Sequence, residues 1–262
     1  MKSTNFIFMS MLFVAALSMT SCDDDDCITG MGSTVTRELD LDDFHSISTS
    51  GEYGITIEQA SEQKVEVTSQ NNIIDELRLD VIDGTWLIEP RDKKCYKDID
   101  ITIRIYIPEI REIETSGAID LVINSFEDLN NLDINCSGEA NIFQSGVLNI
   151  DNGFSLNVSG STDAIFNMNT QSVEIDISGA GTIKLTGTTD SQEFNVSGSG
   201  TFNSFDMETG TCEIDISGQA DMDVNVQDLL DVTISGSGTV RYIGNPTVES
   251  NISGLGEIID AN

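Results

Sequence analysis

Apolar residues in this chain keep to even offsets from a repeated Ser-Gly dipeptide. The dipeptide stands at Ser116-Gly117, Ser137-Gly138, Ser159-Gly160, Ser178-Gly179, Ser197-Gly198, Ser217-Gly218, Ser235-Gly236 and Ser253-Gly254. The glycine-to-glycine steps are 21, 22, 19, 19, 20, 18 and 18 residues. Four residues after each glycine come Leu121, Ile142, Ala164, Ile183, Phe202, Met222, Val240 and Ile258. Two before it the column runs Cys136, Val158, Ile177, Val196, Ile216, Ile234 and Ile252, with Thr115 as the exception. A period of two is that of β-strands with one buried face. Only a short turn near Asn72–Leu77 reads as helical.

Parity separates two β architectures. A two-residue hairpin turn at Ser-Gly would move the apolar set to odd offsets, whereas here even offsets stay inward through the turn. The position two after glycine is small in most copies (Ala140, Thr162, Gly181, Gly200, Ala220, Gly238, Gly256), which reads as a corner crowded by backbone. The pattern predicts an all-β chain, a parallel β-solenoid of the right-handed β-helix kind. Its Ser-Gly repeats of 18–22 residues occupy 111–262, after a less regular β region over 34–110. Eight coils at ~4.8 Å each would make a rod of roughly 40 Å. An earlier copy, Ser50-Gly51, lies 66 residues before Gly117, room for about three looser repeats.

The first residues read as an address. Lys2 precedes an apolar stretch from Phe6 to Leu17, and small residues lead to Cys22. This is a secretory signal, too short for a comfortable membrane span. Met19-Thr20-Ser21-Cys22 resembles a bacterial lipobox, so residues 1–21 are expected to leave and Cys22 to carry lipid. An ordinary signal peptide cleaved near Ser21 is the alternative. Residues 22–33 then form an acidic tether opening with Asp23, Asp24, Asp25 and Asp26. That run reads as a surface-export signal at the outer membrane. A solvated spacer, or retention facing the periplasm, is the other reading.

Charge narrows the function. Twelve Lys+Arg against 45 Asp+Glu give a formal net charge of −33, which repels phosphate backbones and excludes nucleic acid as a partner. The single histidine, His45, leaves little for acid–base catalysis at neutral pH. Eight repeated serines with no histidine after His45 are turn-capping hydroxyls, not nucleophiles. Lys184 and Arg241 are the only basic residues after Arg111, too few for a polysaccharide lyase.

Ile175–Ile183 (IDISGAGTI) and Val232–Val240 (VTISGSGTV) resemble the family of putative auto-transporter adhesins with a head GIN domain. Phe44-His45-Ser46-Ile47, Gly54-Ile55-Thr56-Ile57 and Gly84-Thr85-Trp86-Leu87-Ile88 agree with it, and the resemblance spans about 34–260. It implies a secreted, often lipid-anchored β-helical domain without a catalytic motif.

Two outward columns remain. Five before each glycine stand Glu112, Asp133, Ser155, Glu174, Glu193, Glu213, Asp231 and Glu249; three before it stand Glu114, Asn135, Asn157, Asp176, Asn195, Asp215, Thr233 and Asn251. They read as a solvated face with amide ladders. The alternative is an oxygen-rich stripe for Ca²⁺, carried by Glu174, Asp176, Glu213, Asp215 and Asp231. Cys136 and Cys212 fall in inward columns, and Cys27 and Cys95 are free to pair or not. Trp86, Tyr96 and Tyr106, near Arg91, Lys93, Lys94 and Lys97, are either core aromatics or an exposed sugar or anion site.

The reading reached is a non-enzymatic cell-surface lipoprotein, an adhesin binding a host, matrix or envelope polymer (glycan or protein) along its rod. An envelope assembly module that self-associates through uncapped solenoid ends is the second reading. A polysaccharide-active enzyme is the third.

Overall fold

The structure, a computed structural model, describes residues 27–91, 95–97 and 99–262. Cys22, Asp23 to Asp26, Lys93 and Lys94 lie outside the described residues. The chain is an all-β parallel β-solenoid of about 7 turns, the turns being bounded by eight Ser-Gly corners.

Each regular coil is one long wrapped strand broken only at Ser-Gly, as in Ser161–Ile177, Ala180–Val196, Ser199–Ile216 and Gln219–Ile234. Successive coils pair in parallel and in register around the corner: Ile175 beside Phe194 beside Ile214 beside Val232, then Ala164 beside Ile183 beside Phe202 beside Met222. These even-offset residues are buried along the axis and pack as columns. Phe154 meets Phe166 at 4.8 Å and Phe194 meets Phe202 at 5.1 Å between ring centroids.

The tightest crowding sits at the glycine itself, two residues before the small position that the pattern marked. A Cβ added to Gly117, Gly138, Gly160, Gly179, Gly198, Gly218, Gly236 or Gly254 would lie 1.9–2.1 Å from the carbonyl oxygen of the glycine one coil before. None of these eight has a positive φ, so glycine is required by close approach and not by a left-handed turn. The small residues two positions later mostly make room for side chains: a Cβ on Gly181 would meet Ile177, and one on Gly200 would meet Phe202.

The 65 residues between Gly51 and Gly117 are not three intervening repeats. Gly117 stacks directly on Gly51, because Ser46–Thr49 pairs with Glu112–Thr115 and Glu52–Gln59 pairs with Ala118–Ile123. The excursion instead turns back and extends the other side of that coil. Thr85–Ile88 adds to Ser46–Thr49, and Thr102–Ile107 adds to Glu52–Gln59. Lys64–Gln70 and Thr34–Leu39 then add antiparallel. A short helix, Asn71–Ile74, buries Ile73 and Ile74 against this end. Trp86 is fully buried, lies 5.6 Å from the Phe44 ring and donates its indole N–H to the Arg78 carbonyl at 3.1 Å. Cys27 and Cys95 form a disulfide beside the small parallel pair Ile28–Thr29 and Tyr96–Lys97.

Candidate functional site

Where the chain bends into each Ser-Gly corner, the outward residues one and three before glycine flank a groove. It runs past eight successive corners, from Ser48 and Thr49 to Thr233 and Ser235, with a volume of about 700 Å³. At ~4.8 Å per coil its length is about 34 Å. One wall is the serine column; the other is Glu114, Asn135, Asn157, Asp176, Asn195, Asp215 and Thr233.

The two walls are held differently. Serine hydroxyls bond across coils to backbone: Ser116 Oγ donates to Thr49 O at 3.3 Å, Ser137 Oγ to Thr115 O at 3.1 Å and Ser178 Oγ to Val158 O at 3.5 Å. These hydroxyls brace the corner and leave lone pairs facing the groove. On the other wall Asn157 Nδ2 donates to Asn135 Oδ1 at 3.0 Å, and Asn135 Nδ2 to Glu112 Oε1 at 3.3 Å. Asn195 Nδ2 donates to Glu193 Oε1 at 3.1 Å. Amides thus sit between carboxylates and lower the like-charge cost of stacking them.

The five residues of the proposed cation stripe do not converge. Asp176 and Asp215 line the groove with Asn195 between them. Glu174, Glu213 and Asp231 stand in the neighbouring column, in the order Glu174, Glu193, Glu213, Asp231. Among the described residues no three His, Cys, Asp or Glu side chains come together closely enough to hold a metal ion. The stripe is a line of charge. Partial burial first, then neighbouring carboxylates, hold Glu174 and Glu112 above the ordinary carboxylate range.

A second surface went unnoticed in the sequence. Val122, Phe143 and Ile165 stand side by side on successive coils, Phe143 53% and Ile165 43% exposed, and Lys184 follows them. Asp120, Asn141 and Asp163 run alongside, with Asn141 Nδ2 donating to Asp120 Oδ1 at 2.9 Å. The signal was there: five after each glycine, the column turns apolar for three coils. A third feature, the ladder Glu127–Asn149–Asn169–Thr188 with bonds of 2.6, 3.0 and 3.0 Å, was hidden by the varying repeat length.

The aromatics of the irregular region divide between core and surface. Trp86 is buried, Tyr96 packs half-buried against the core, and Tyr106, half-buried on the outward face of Thr102–Ile107, lies under Lys64 Nζ at 5.8 Å, so these three rings do not form one exposed platform. Cys136 and Cys212 are free and buried, and burial pushes both thiols up. Among the described residues no helix is long and apolar enough to cross a membrane.

Solved structures share this architecture. A putative lipid binding protein from Parabacteroides distasonis ATCC 8503 is 25% identical, with TM-score 0.76 over 89% of this chain and 99% of its own. A putative adhesin from the same organism is 21% identical, with TM-score 0.75 over 89% and 99%. Another, from Parabacteroides merdae ATCC 43184, is 21% identical, with TM-score 0.72 over 90% and 100%. No curated protein matches at a significant level. The model of the family described as putative auto-transporter adhesin, head GIN domain, matches residues 43–246, from the first coil through nearly the last, and the chain belongs to that family.

Proposed function

We propose that the protein is a non-enzymatic cell-surface adhesin that binds an extended, uncharged glycan along the Ser-Gly groove. The observation that carries this reading is the groove's repetition. The same wall of hydroxyl, amide and carboxylate oxygens returns at each coil, so a ligand with its own repeat can be held at many points. Among the described residues no basic side chain lines it, which disfavours uronates, sulfated chains and nucleic acid, while sugar hydroxyls can donate to its acceptors. The family's name points to the cell surface. Lipidation at Cys22 in the outer membrane, with Asp23 to Asp26 directing export, accounts for the chain's first residues.

A second reading rests on the apolar ladder. Val122, Phe143 and Ile165 offer a place for an acyl chain, and the 25%-identical neighbour is named a lipid binding protein.

The test is binding of the chain from Asp23 onward to arrays of neutral and anionic glycans and to fatty-acid probes, in calcium and in chelator. Saturable binding to neutral glycans, lost in Asn157→Ala with Asn195→Ala and kept in Phe143→Ser, supports the groove. Loss in chelator would bring calcium to Asp176 and Asp215. Binding of fatty acid alone, abolished by Phe143→Ser, replaces the first reading with the second. The absence of any saturable ligand overturns both.

A further inference from the structure

The last described coil keeps the parallel pattern of the coils before it. Thr247–Ile252 and Leu255–Asp260 pair on one side with the coil before them and, among the described residues, leave their backbone N–H and C=O groups unpaired on the other. Val248, Ser250, Ile252 and Ile258 continue the columns of Leu230, Val232, Ile234 and Val240. Those four are buried, whereas Val248 and Ile252 are exposed and Ile258 only partly covered. Leu255, beside them, is 85% exposed.

We propose that this end is a homodimer surface, two copies meeting end to end about a two-fold axis through the Ser253–Gly254 corner. The two strands have six residues each and flank that corner, with the axis passing through Gly254. A half-turn about it therefore lays each strand antiparallel on the other strand of the second copy, satisfying both open edges at once. The register follows from alternation. Ile252 meets Gly256, Ser250 meets Ile258, Asn251 meets Glu257 and Glu249 meets Ile259. Inward residues meet inward residues, and in these four pairs no carboxylate faces a carboxylate, although the rod is strongly acidic. An axis through Ser250 would also pair inward with inward, but would leave Leu255–Asp260 open.

The chain enters at the opposite, closed end, where Cys27 is tied to Cys95. A pair joined this way points its two entry ends apart. If Cys22 carries the anchor, as proposed above, the contact joins two surfaces instead of two neighbours on one.

The experiment uses the chain from Asp23, which keeps Cys27 and every core residue, in sedimentation velocity over a range of concentrations. A concentration-dependent dimer, lost in Ile252→Lys while the circular dichroism spectrum stays that of the folded chain, is the expected result. The register is tested by mixing Asn251→Cys protein with Glu257→Cys protein under mild oxidation. Covalent dimers should form in the mixture and in neither protein alone. A wild-type chain that stays monomeric at every concentration overturns the proposal, as does a dimer indifferent to Ile252→Lys. Cross-linking of Asn251→Cys to itself overturns the axis. None of these readouts depends on the lipid or on a glycan. Vesicles carrying the chain by its N-terminal end should clump, and Ile252→Lys should stop it; solution dimers without clumping would overturn the bridging alone.

Discussion

The two ends of this solenoid solve the same problem in opposite ways. At the N-terminal end the sheet turns antiparallel, a helix closes over the core, and the last strand, Thr34–Leu39, carries charge. Arg37 pairs with Asp75 at 2.5 Å, and Lys64 lies 3.9 Å from Glu38. Charges on an edge strand discourage further pairing. At the C-terminal end the last described coil keeps the repeat's parallel pattern, and among the described residues nothing covers its inward columns. A repeat specifies its successor as well as its predecessor, so nothing inside it can end the stack. Closure takes residues outside the pattern, and here only one end has them among the described residues.

The sharpest way to break this contrast is to truncate a core residue at each end. Trp86→Ala should cost about 3–5 kcal/mol, whereas Ile258→Ala, partly uncovered, should cost about 1 kcal/mol or less. Chemical denaturation would measure both; equal losses would show that the last coil is covered in solution. Removing the staple comes next. Cys27→Ser with Cys95→Ser opens a link across 68 residues and should cost about 2–4 kcal/mol by melting or denaturant. Hydrogen exchange should loosen around Ile28–Thr29 and Tyr96–Lys97 and leave the regular coils protected.

The glycine row sharpens the comparison within the coils. Gly179→Ala drives a Cβ onto the Gly160 carbonyl with coils on both sides, and should cost about 1–3 kcal/mol. Gly254→Ala makes the same clash, but its coil has a free side and can lift, so the loss should be smaller. The smallest effect is electrostatic. Glu112 and Glu174 titrate above the usual carboxylate range when folded, so the folded chain binds more protons than the unfolded one just above that range. Stability then falls as pH rises through the window, and the melting temperature should be slightly higher near pH 5 than at pH 7. Added salt at pH 7 should recover part of the difference.

How much of this was readable in the residues depends on locality. The coils were legible because each even-offset residue meets its equivalent about twenty positions away, and the period announces that contact. The buried Cys136 and Cys212 followed from the same parity. The closed end was illegible: its antiparallel strands pair Thr34 with Gln70 and Lys64 with Tyr106, separations no repeat announces, and Trp86 is buried by partners such as Phe44, far off in the chain. Half of the groove was visible as the column containing Asp176 and Asp215. That the serine column forms the facing wall depends on how sharply the corner bends, which alternation does not encode. The glycine at that corner was seen, but its carbonyl neighbour lies one coil away and cannot be inferred from turn chemistry.

That glycine row also limits how the molecule can change in length. Register runs unbroken through every corner from Gly160 to Gly236, while the slips that absorb extra residues lie elsewhere, as between Asn149 and Gly153, Lys184 and Gly187, or Ser204 and Glu208. One edge of the rod is thus a fixed datum, and the far side takes up slack. Insertions of a few residues are absorbed opposite the corner and leave the reach of the rod unchanged. Only gain or loss of an entire coil lengthens or shortens it, in steps of about 4.8 Å. Reach in this fold is a whole number.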